Sequence, residues 1–502
     1  MKKILVNKEA KKLGWLLLLV GIFTITRLVG LTKLPVFADE AIYIRWAQLA
    51  VSETDKYLFL PMLDGKPPLH AWSIVPFLQI FSDPLTAGRM LSVVAGLLTL
   101  FVVDKLVLVL GGKKQERLIA YGLVLVLPFW HFHQRMALAE SLLVMFLAVA
   151  MYGGLTYLIS RKKAYLIWLT LGVGGALWVK TSAFFFVPML TLLPVLTETK
   201  KRWKEIYLND TTIKLAWAGL AGVLIFLLLK FSPLFPQLFS RSLDYTFTSQ
   251  ELIAGEWKFI LVKSLPRTLT WLVRYFSPLV LIVFLSKSRK EAILVLMAIL
   301  YALPILAYGR VVSPRYFFPM VLPMTLAMTF VLSRLLKNGV AKNWVKLALG
   351  FALIYSSYFM YFGIVNPTMV PFAQVDKVQY LTEWSSGYGI PEVRDFIKEK
   401  IKTEKVSVKT EGTFGTLPDG LIMYFDKSEN IGNLKMSGIE GARYRETIGE
   451  LTKIAKEREA YFVINEHRLN VDPLPDNVKL LASYPRPLGG PSLLLLQVLP
   501  EE

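Results

Sequence analysis

The sequence predicts a polytopic α-helical membrane protein followed by an extracytoplasmic α/β domain. Three observations predict it. Of 502 residues, 54% are hydrophobic, and the mean hydropathy is +0.48. Apolar runs of about 20 residues, the length that crosses a bilayer, recur up to residue 364. Beyond residue 366 the pattern turns polar and alternates helix with strand.

Eleven spans are expected, at 13–31, 88–110, 117–131, 139–159, 163–179, 182–197, 212–231, 267–286, 291–308, 316–336 and 344–364. The first lacks a small-residue cleavage site and is read as a retained span, not a signal peptide. The net charge is +20, and its distribution orients the spans. Residues 1–365 hold 40 basic and 17 acidic residues, whereas residues 366–502 hold 17 basic and 20 acidic ones. The excess belongs to the membrane half, which speaks for topology signals and against a nucleic-acid partner. Basic clusters sit before the first span (Lys2, Lys3, Lys8, Lys11, Lys12) and after the second (Lys113, Lys114, Arg117) and fourth (Arg161, Lys162, Lys163). Others follow the sixth ("KKRWKE", 200–205), the eighth ("KSRKE", 287–291) and the tenth ("RLLKNGVAKNWVK", 334–346). All fall on one side, which the positive-inside rule makes cytoplasmic. The N-terminus is then cytoplasmic, and the domain 366–502 is extracytoplasmic, attached to a multi-pass plasma-membrane domain 1–365.

The outer segments are the long ones. A first outer loop, 32–87, carries two short amphipathic stretches near 40–51 and 69–81, too short to span and expected at the interface. In the first of these, Ile42, Trp46 and Leu49 are spaced to face lipid, while Asp39 and Tyr43 share another face. A second large outer loop covers 232–266. In the outer domain, helices are expected near 391–402, 419–425 and 446–458, and strands at 405–410, 433–437, 459–465, 478–484 and 492–499. "SSGYG" (385–389) reads as a turn before a helix, and no GxGxxG is present. The absence of cysteine excludes disulfides, thiolate metal sites and a cysteine nucleophile.

Unusual polar residues gather at the outer ends of the spans. They lie in "VFADEAIYIRWAQLA" (36–50), "DGKPPLHAW" (64–72), "HFHQRMALAES" (131–141), "LWVKTSAF" (177–184) and "GRVVSPRYFFP" (309–319). Charge at membrane depth is costly unless paired or functional, so five such places on one leaflet imply a charged cavity opening outward. Lys66, Arg135, Lys180 and Arg315 suit a phosphate or pyrophosphate. Asp39, Glu40 and Glu140 suit a general base or a cation ligand. Acids and bases together at the headgroup level point to transfer from a phospholipid-linked substrate. Structural readings compete: Asp39 as a helix N-cap, Lys66 snorkelling to headgroups, Arg315 and Tyr316 as an interfacial anchor. His131 and His133 point apart on a helix; with Glu40 or Glu140 either is a candidate ligand for a divalent cation.

Several motifs resemble the membrane-embedded glycosyltransferases of the GT-C fold. The similarity is to glycosyltransferase family 39: bacterial and archaeal relatives of the dolichyl-phosphate-mannose protein mannosyltransferases, including aminoarabinose transferases. It rests on "DEAIY" (39–43), "GKPPLHAW" (65–72), "AGRMLSVVAGLLTL" (87–100), "RMALAESLLVMF" (135–146), "GGALWVKTSAFFFVP" (174–188) and "SPRYFFPMVLP" (313–323), in the family's order. The resemblance implies a polyprenyl-phosphate sugar as donor, an outward-facing site and inversion at the anomeric carbon. It implies Asp39 as the base, supported by Glu40, and Lys66 and Arg315 on the donor phosphate. Lys180 matches the lysine after the fifth span, while Glu140, with Tyr43 and Tyr316, would line the site. Glu140 stands where many relatives carry Asp. Only a subset of relatives resembles the outer domain, through 383–397, 408–421 and 484–490. The acceptor would be protein, lipid or cell-envelope glycan; if it is itself a phosphate, Asp39 orients it or holds a cation with Glu40. Two other classes compete, a transporter or lipid flippase and a non-catalytic assembly protein. Against the transporter stand the missing internal repeat and the one-sided polar residues.

Overall fold

The structure, a computed structural model, describes residues 2–198, 202–337, 342–426, 431–440, 444–470 and 473–501. Lys200 and Lys201 of one expected basic cluster, and residues 338–341 of another, lie outside the described residues. The chain forms two compact units. One comprises residues 1–31, 59–70 and 89–364; the other comprises 32–58, 71–88 and 365–502. Most of the first outer loop therefore shares a unit with the C-terminal domain.

The first unit is helical. Among the described residues, six helices are long and apolar enough to cross a membrane: Pro84–Val109, Ala139–Ser160, Asp210–Phe231, Arg289–Tyr308, Pro314–Lys337 and Asn343–Val365. A seventh arises if the bent pair Ser249–Tyr275 and Pro278–Leu285, which meet at 103°, counts as one span. The first expected span lies largely within the helix Lys2–Leu28, whereas those at 117–131, 163–179 and 182–197 are short or broken. Proline is the local cause of three breaks. The stretch expected to span at 117–131 divides into Lys114–Val126 and Pro128–His133. Pro188 and Pro194 turn 182–197 into two short 3-10 turns and a single α-turn. Pro278, after Ser277 at φ +58, marks the 103° bend.

The break at Pro128 is repaired by a buried arginine. Proline has no N–H for the carbonyl of Val124, four residues back. Arg27, from the first helix, donates instead to the carbonyls of Val124 (2.8 Å) and Leu125 (2.9 Å), and to Oε1 of Gln134 (3.0 and 3.1 Å). The exchange is mutual. Arg135 donates to the carbonyls of Thr26, Arg27, Val29 and Gly30 at 2.8–3.1 Å, closing the end of the helix that carries Arg27. Arg89 donates to the carbonyl of Leu31 at 2.6 Å. Elsewhere small residues let backbones meet: a Cβ on Gly153 would lie 2.6 Å from the amide of Leu169, and one on Gly172 would lie 2.5 Å from that of Ala150. The hairpin of Ala139–Ser160 and Ala164–Val179 depends on both.

Three of the expected basic clusters come together at one end of the unit. Glu116 accepts from Lys337 (2.8 Å) and Ser333 (2.5 Å). Glu291 accepts from Arg334 at 3.0 and 3.1 Å, and Asp104 from Arg117 at 2.6 and 2.9 Å. Arg315 sits at the opposite end of Pro314–Lys337.

The second unit is built on a five-stranded sheet: β1 Val406–Glu411, β2 Leu434–Ile439, β3 Glu459–Asn465, β4 Val478–Tyr484 and β5 Leu493–Val498. Its order is β2-β1-β3-β5-β4. β1 is parallel to β2 and β3, while β5 runs antiparallel to β3 and β4. The near-continuous apolar run of β3 is buried because both faces are covered. Ile448 and Leu451 of the helix Tyr444–Ile454 pack with Phe462 and Ile464 on one face. Phe396 of the helix Ile390–Lys400 meets Tyr461 edge-on at 5.2 Å. The helix expected near 419–425 is only Asp419–Ile422.

The amphipathic stretches appear as Ala38–Ser52 and Leu69–Ile80. Ile42, expected toward lipid, is buried. The reason is that Ala38–Ser52 packs on the C-terminal segment. The amide of Ala38 donates to the carbonyl of Ser385 at 3.0 Å. Gln48 donates to the carbonyl of Met423 at 2.8 Å, and Arg45 pairs with Asp426 at 3.1 Å. A Cβ on Gly420 would lie 3.3–3.4 Å from Val36 and Ala41.

Two outcomes follow from this packing. Arg135→Met strands four carbonyls that now accept from a charged donor. Unfolding in detergent is expected to show a loss of about 3 kcal/mol or more, and Arg135→Lys, which lacks the planar fork, is expected to restore little. In the second unit, burial raises the Asp419 carboxyl to about 6, although the Gly415 amide and Arg45 act against the rise. A pKa raised on folding gives stability that is full below the unfolded value and is lost as pH rises through about 6. Asp419→Asn is therefore expected to raise the melting temperature at pH 8 more than at pH 5.

Candidate active site

Glu140 is the second residue of Ala139–Ser160, where the helix dipole favours a carboxylate. It is 2% exposed, and its Oε1 accepts from Nζ of Lys180 at 2.6 Å. Lys180 follows the helix Ala164–Val179 in extended backbone, which swings its side chain off that helix axis. Its ammonium lies 5.1 Å from the centre of the Tyr316 ring, and the Arg315 guanidinium lies 5.4 Å from the same ring. Pro314 and Pro319 hold 314–320 in a 3-10 turn, and the Tyr301 hydroxyl fixes it by donating to the carbonyl of Tyr316 at 3.1 Å.

Two histidines border this group. His133 is buried, with its ring centre 4.7 Å from Phe318 and 5.3 Å from both Phe129 and Phe132. It feels the charges of Glu140, Arg315 and Lys180. His70 stands 3.3 Å from the carbonyl of Ala137 and feels Glu140, Lys180 and Lys66. Lys66 follows Gly65, whose φ of +71 makes a turn that glycine favours, and pairs with Asp64 at 2.9 Å. Asp64 also accepts from Arg241 of the segment 232–266.

Lys66, Glu140, Lys180, Arg315 and Tyr316 thus belong to one cluster. Arg135, expected on a phosphate, does not: its guanidinium is occupied by four backbone carbonyls at the end of the first helix. Asp64, Arg241 and His70 were not among the expected site residues, and His133 was expected only as a candidate metal ligand. Asp64 and His70 flank Lys66 within "DGKPPLHAW", so proximity in sequence was their signal. Arg241 carried no signal, since it comes from a distant loop.

Asp39, Glu40 and Tyr43 belong to the second unit. The N-cap role considered for Asp39 falls to its neighbour. Phe37 is the N-cap residue, and its amide donates to Oε2 of Glu40 at 3.0 Å. Glu40 is fully buried, which corrects its expected share in base chemistry to a structural one. Tyr43 is buried one turn beyond Asp39 and meets Trp46 edge-on at 5.7 Å. Among the described residues no group of three or more His, Asp or Glu side chains is arranged to hold a metal ion, so the divalent cation considered with Glu40 or Glu140 has no such donor set.

Residues 65–235, which include Lys66, His133, Glu140 and Lys180, match the family model for dolichyl-phosphate-mannose-protein mannosyltransferase. No curated protein matches the chain by sequence. Among solved structures, ArnT from Cupriavidus metallidurans in the apo state superposes with a TM-score of 0.60 at 15% identity, over 97% of this chain and 98% of that one. The same protein bound to undecaprenyl phosphate gives 0.59 at 14% identity, over 96% and 98%. The chain has a GT-C fold. The coverage extends through both units.

The Glu140–Lys180 pair is open to direct test. Removing one partner of a buried pair typically costs about 3–5 kcal/mol because the other charge is left uncompensated. Lys180→Met is expected to destabilise the protein by that order in detergent unfolding, and Glu140→Gln combined with Lys180→Met to recover most of the loss.

Proposed function

We propose that the chain is an inverting glycosyltransferase that moves a sugar from a polyprenyl-phosphate donor to an acceptor on the outer face of the plasma membrane. The observation that carries this reading is the convergence of Lys180 and Arg315 around the buried Glu140, with Lys66 joined to them through His70, largely within the stretch that matches the mannosyltransferase model. The ArnT structure with undecaprenyl phosphate bound supports the donor class. The orientation is supported by the basic clusters around Glu116 and Glu291, which lie at the end of Pro314–Lys337 away from Arg315.

The chemistry follows from charge. An acceptor oxygen attacks the anomeric carbon from the face opposite the phosphate. The carbon–oxygen bond to phosphate breaks, its electron pair stays on the leaving oxygen, and the phosphate gains a negative charge. Lys66, Lys180 and Arg315 stabilise that growing charge in a site where water is scarce. Glu140 and Asp64 hold the two ammonium groups in place while the site is empty. A hydroxyl acceptor is a weak nucleophile, and its proton passes to Asp39 as general base. Glu40 fixes the first turn that carries Asp39. Tyr43 and Tyr316 line the site, and Tyr316 offers its ring to both cations. The second unit holds or selects the acceptor, which is protein, lipid or cell-envelope glycan.

Mass spectrometry of glycolipids and glycoproteins from cells with and without the gene names sugar and acceptor together. With that donor supplied to membranes, Asp39→Asn is expected to lower transfer by about 100-fold or more at unchanged expression. Arg315→Ala is expected to weaken donor binding as well as turnover. Transfer by Asp39→Asn at the wild-type rate removes the base assignment.

A further inference from the structure

We infer that His133 is a further ligand of the donor, hydrogen-bonding through its imidazole to the phosphate or the glycosidic oxygen; the inference rests on the glycosyltransferase reading above. His133 is 1% exposed, and neither ring nitrogen has a hydrogen-bond partner. A buried polar group without a partner is costly, so a bound ligand is the natural source of one. The ring is held between Phe129, Phe132 and Phe318, which fixes its plane without satisfying either nitrogen. Among charged groups it feels Arg315 and Lys180, two of the three cations assigned to the donor phosphate, and Glu140, which holds Lys180.

His131 supplies the contrast. It is equally buried and its ring nitrogens equally lack partners, but the charges it feels are those of Arg27 and Arg135. Those arginines are spent on backbone carbonyls and Gln134. On the short helix Pro128–His133 the two imidazoles therefore serve different surroundings, one in the frame and one in the site.

The test uses the full chain in lipid nanodiscs with undecaprenyl phosphate as the probe. Wild type is expected to bind it. His133→Phe, which keeps an aromatic ring among the phenylalanines, is expected to bind about tenfold more weakly, the loss typical of one hydrogen bond to a charged group. His133→Gln, which keeps an N–H donor, is expected to stay within about threefold of wild type, since most of such a bond is preserved. Both variants are expected to melt near the wild-type temperature. Wild-type affinity in His133→Phe, with binding lost in Arg315→Ala, overturns the inference and leaves the glycosyltransferase reading standing. If wild type itself does not bind undecaprenyl phosphate, the donor assignment fails and the role of His133 fails with it. Should His133→Phe not fold, His133→Leu replaces it: weakened binding supports the inference, and wild-type binding overturns it.

Discussion

The membrane unit depends on two arginines that close each other's helices. Helix ends leave backbone carbonyls unpaired, and in hydrocarbon no water is present to satisfy them. Arg27 covers the carbonyls freed by the break before Pro128, and Arg135 covers those at the end of the helix bearing Arg27. Neither repair stands without the other, because each arginine is held by the segment that it caps. Gln134, beside Arg135, ties the two together through its carboxamide oxygen. The segment so pinned runs from Pro128 into Ala139–Ser160 and carries both His133 and Glu140. A proline break in a transmembrane segment thereby becomes a rigid feature, and the site residues inherit that rigidity.

A second constraint acts on the helix Ala38–Ser52. Its start is fixed by Glu40 on the Phe37 amide and by the Ala38 amide on Ser385. Farther along, Gln48 reaches the carbonyl of Met423 and Arg45 pairs with Asp426. The C-terminal domain therefore does more than carry a sheet. Through 385–387 and 420–426 it sets the position of the helix that presents Asp39. A chain ending before residue 365 loses these partners, so the C-terminal domain and the general base are one functional piece in the proposed mechanism.

Much of this was legible in the sequence, and the limits have physical reasons. The strands of the C-terminal domain came from period-two and continuous apolar runs, and all five lie within a residue or two of their expected limits. Lys66, Glu140, Lys180 and Arg315 were visible as charges where lipid discourages them. Arg135 met the same criterion and belongs to the frame instead, because a buried arginine bonded to carbonyls and one facing an anion look identical in sequence. Arg27 is a lone charge in an apolar run and carries no motif, yet it is the partner that Arg135 implies. Ile42 followed the spacing of a lipid-facing stripe and is buried, since periodicity reveals a face but not what covers it. The prolines at 128, 188, 194 and 278 fall inside three of the eleven expected spans and break them, so among the described residues these three do not form full-length helices.

In the proposed mechanism, the pairing of each lysine with a carboxylate has a consequence for turnover. Lys66 rests on Asp64 and Lys180 on Glu140. Without these acids the empty site would hold several like charges at membrane depth, which is expensive. With them, an arriving phosphate shares each ammonium with a carboxylate and does not take it outright. Ground-state affinity is lowered, but the carboxylates stay fixed while the phosphate gains charge, so the ammonium groups favour the later, more charged state. The same sharing keeps the lipid phosphate product from binding too tightly to leave. In that mechanism the acids flanking the two lysines are part of the catalytic balance: they offset the cations before the donor arrives, favour growing charge when it is bound, and let the product leave.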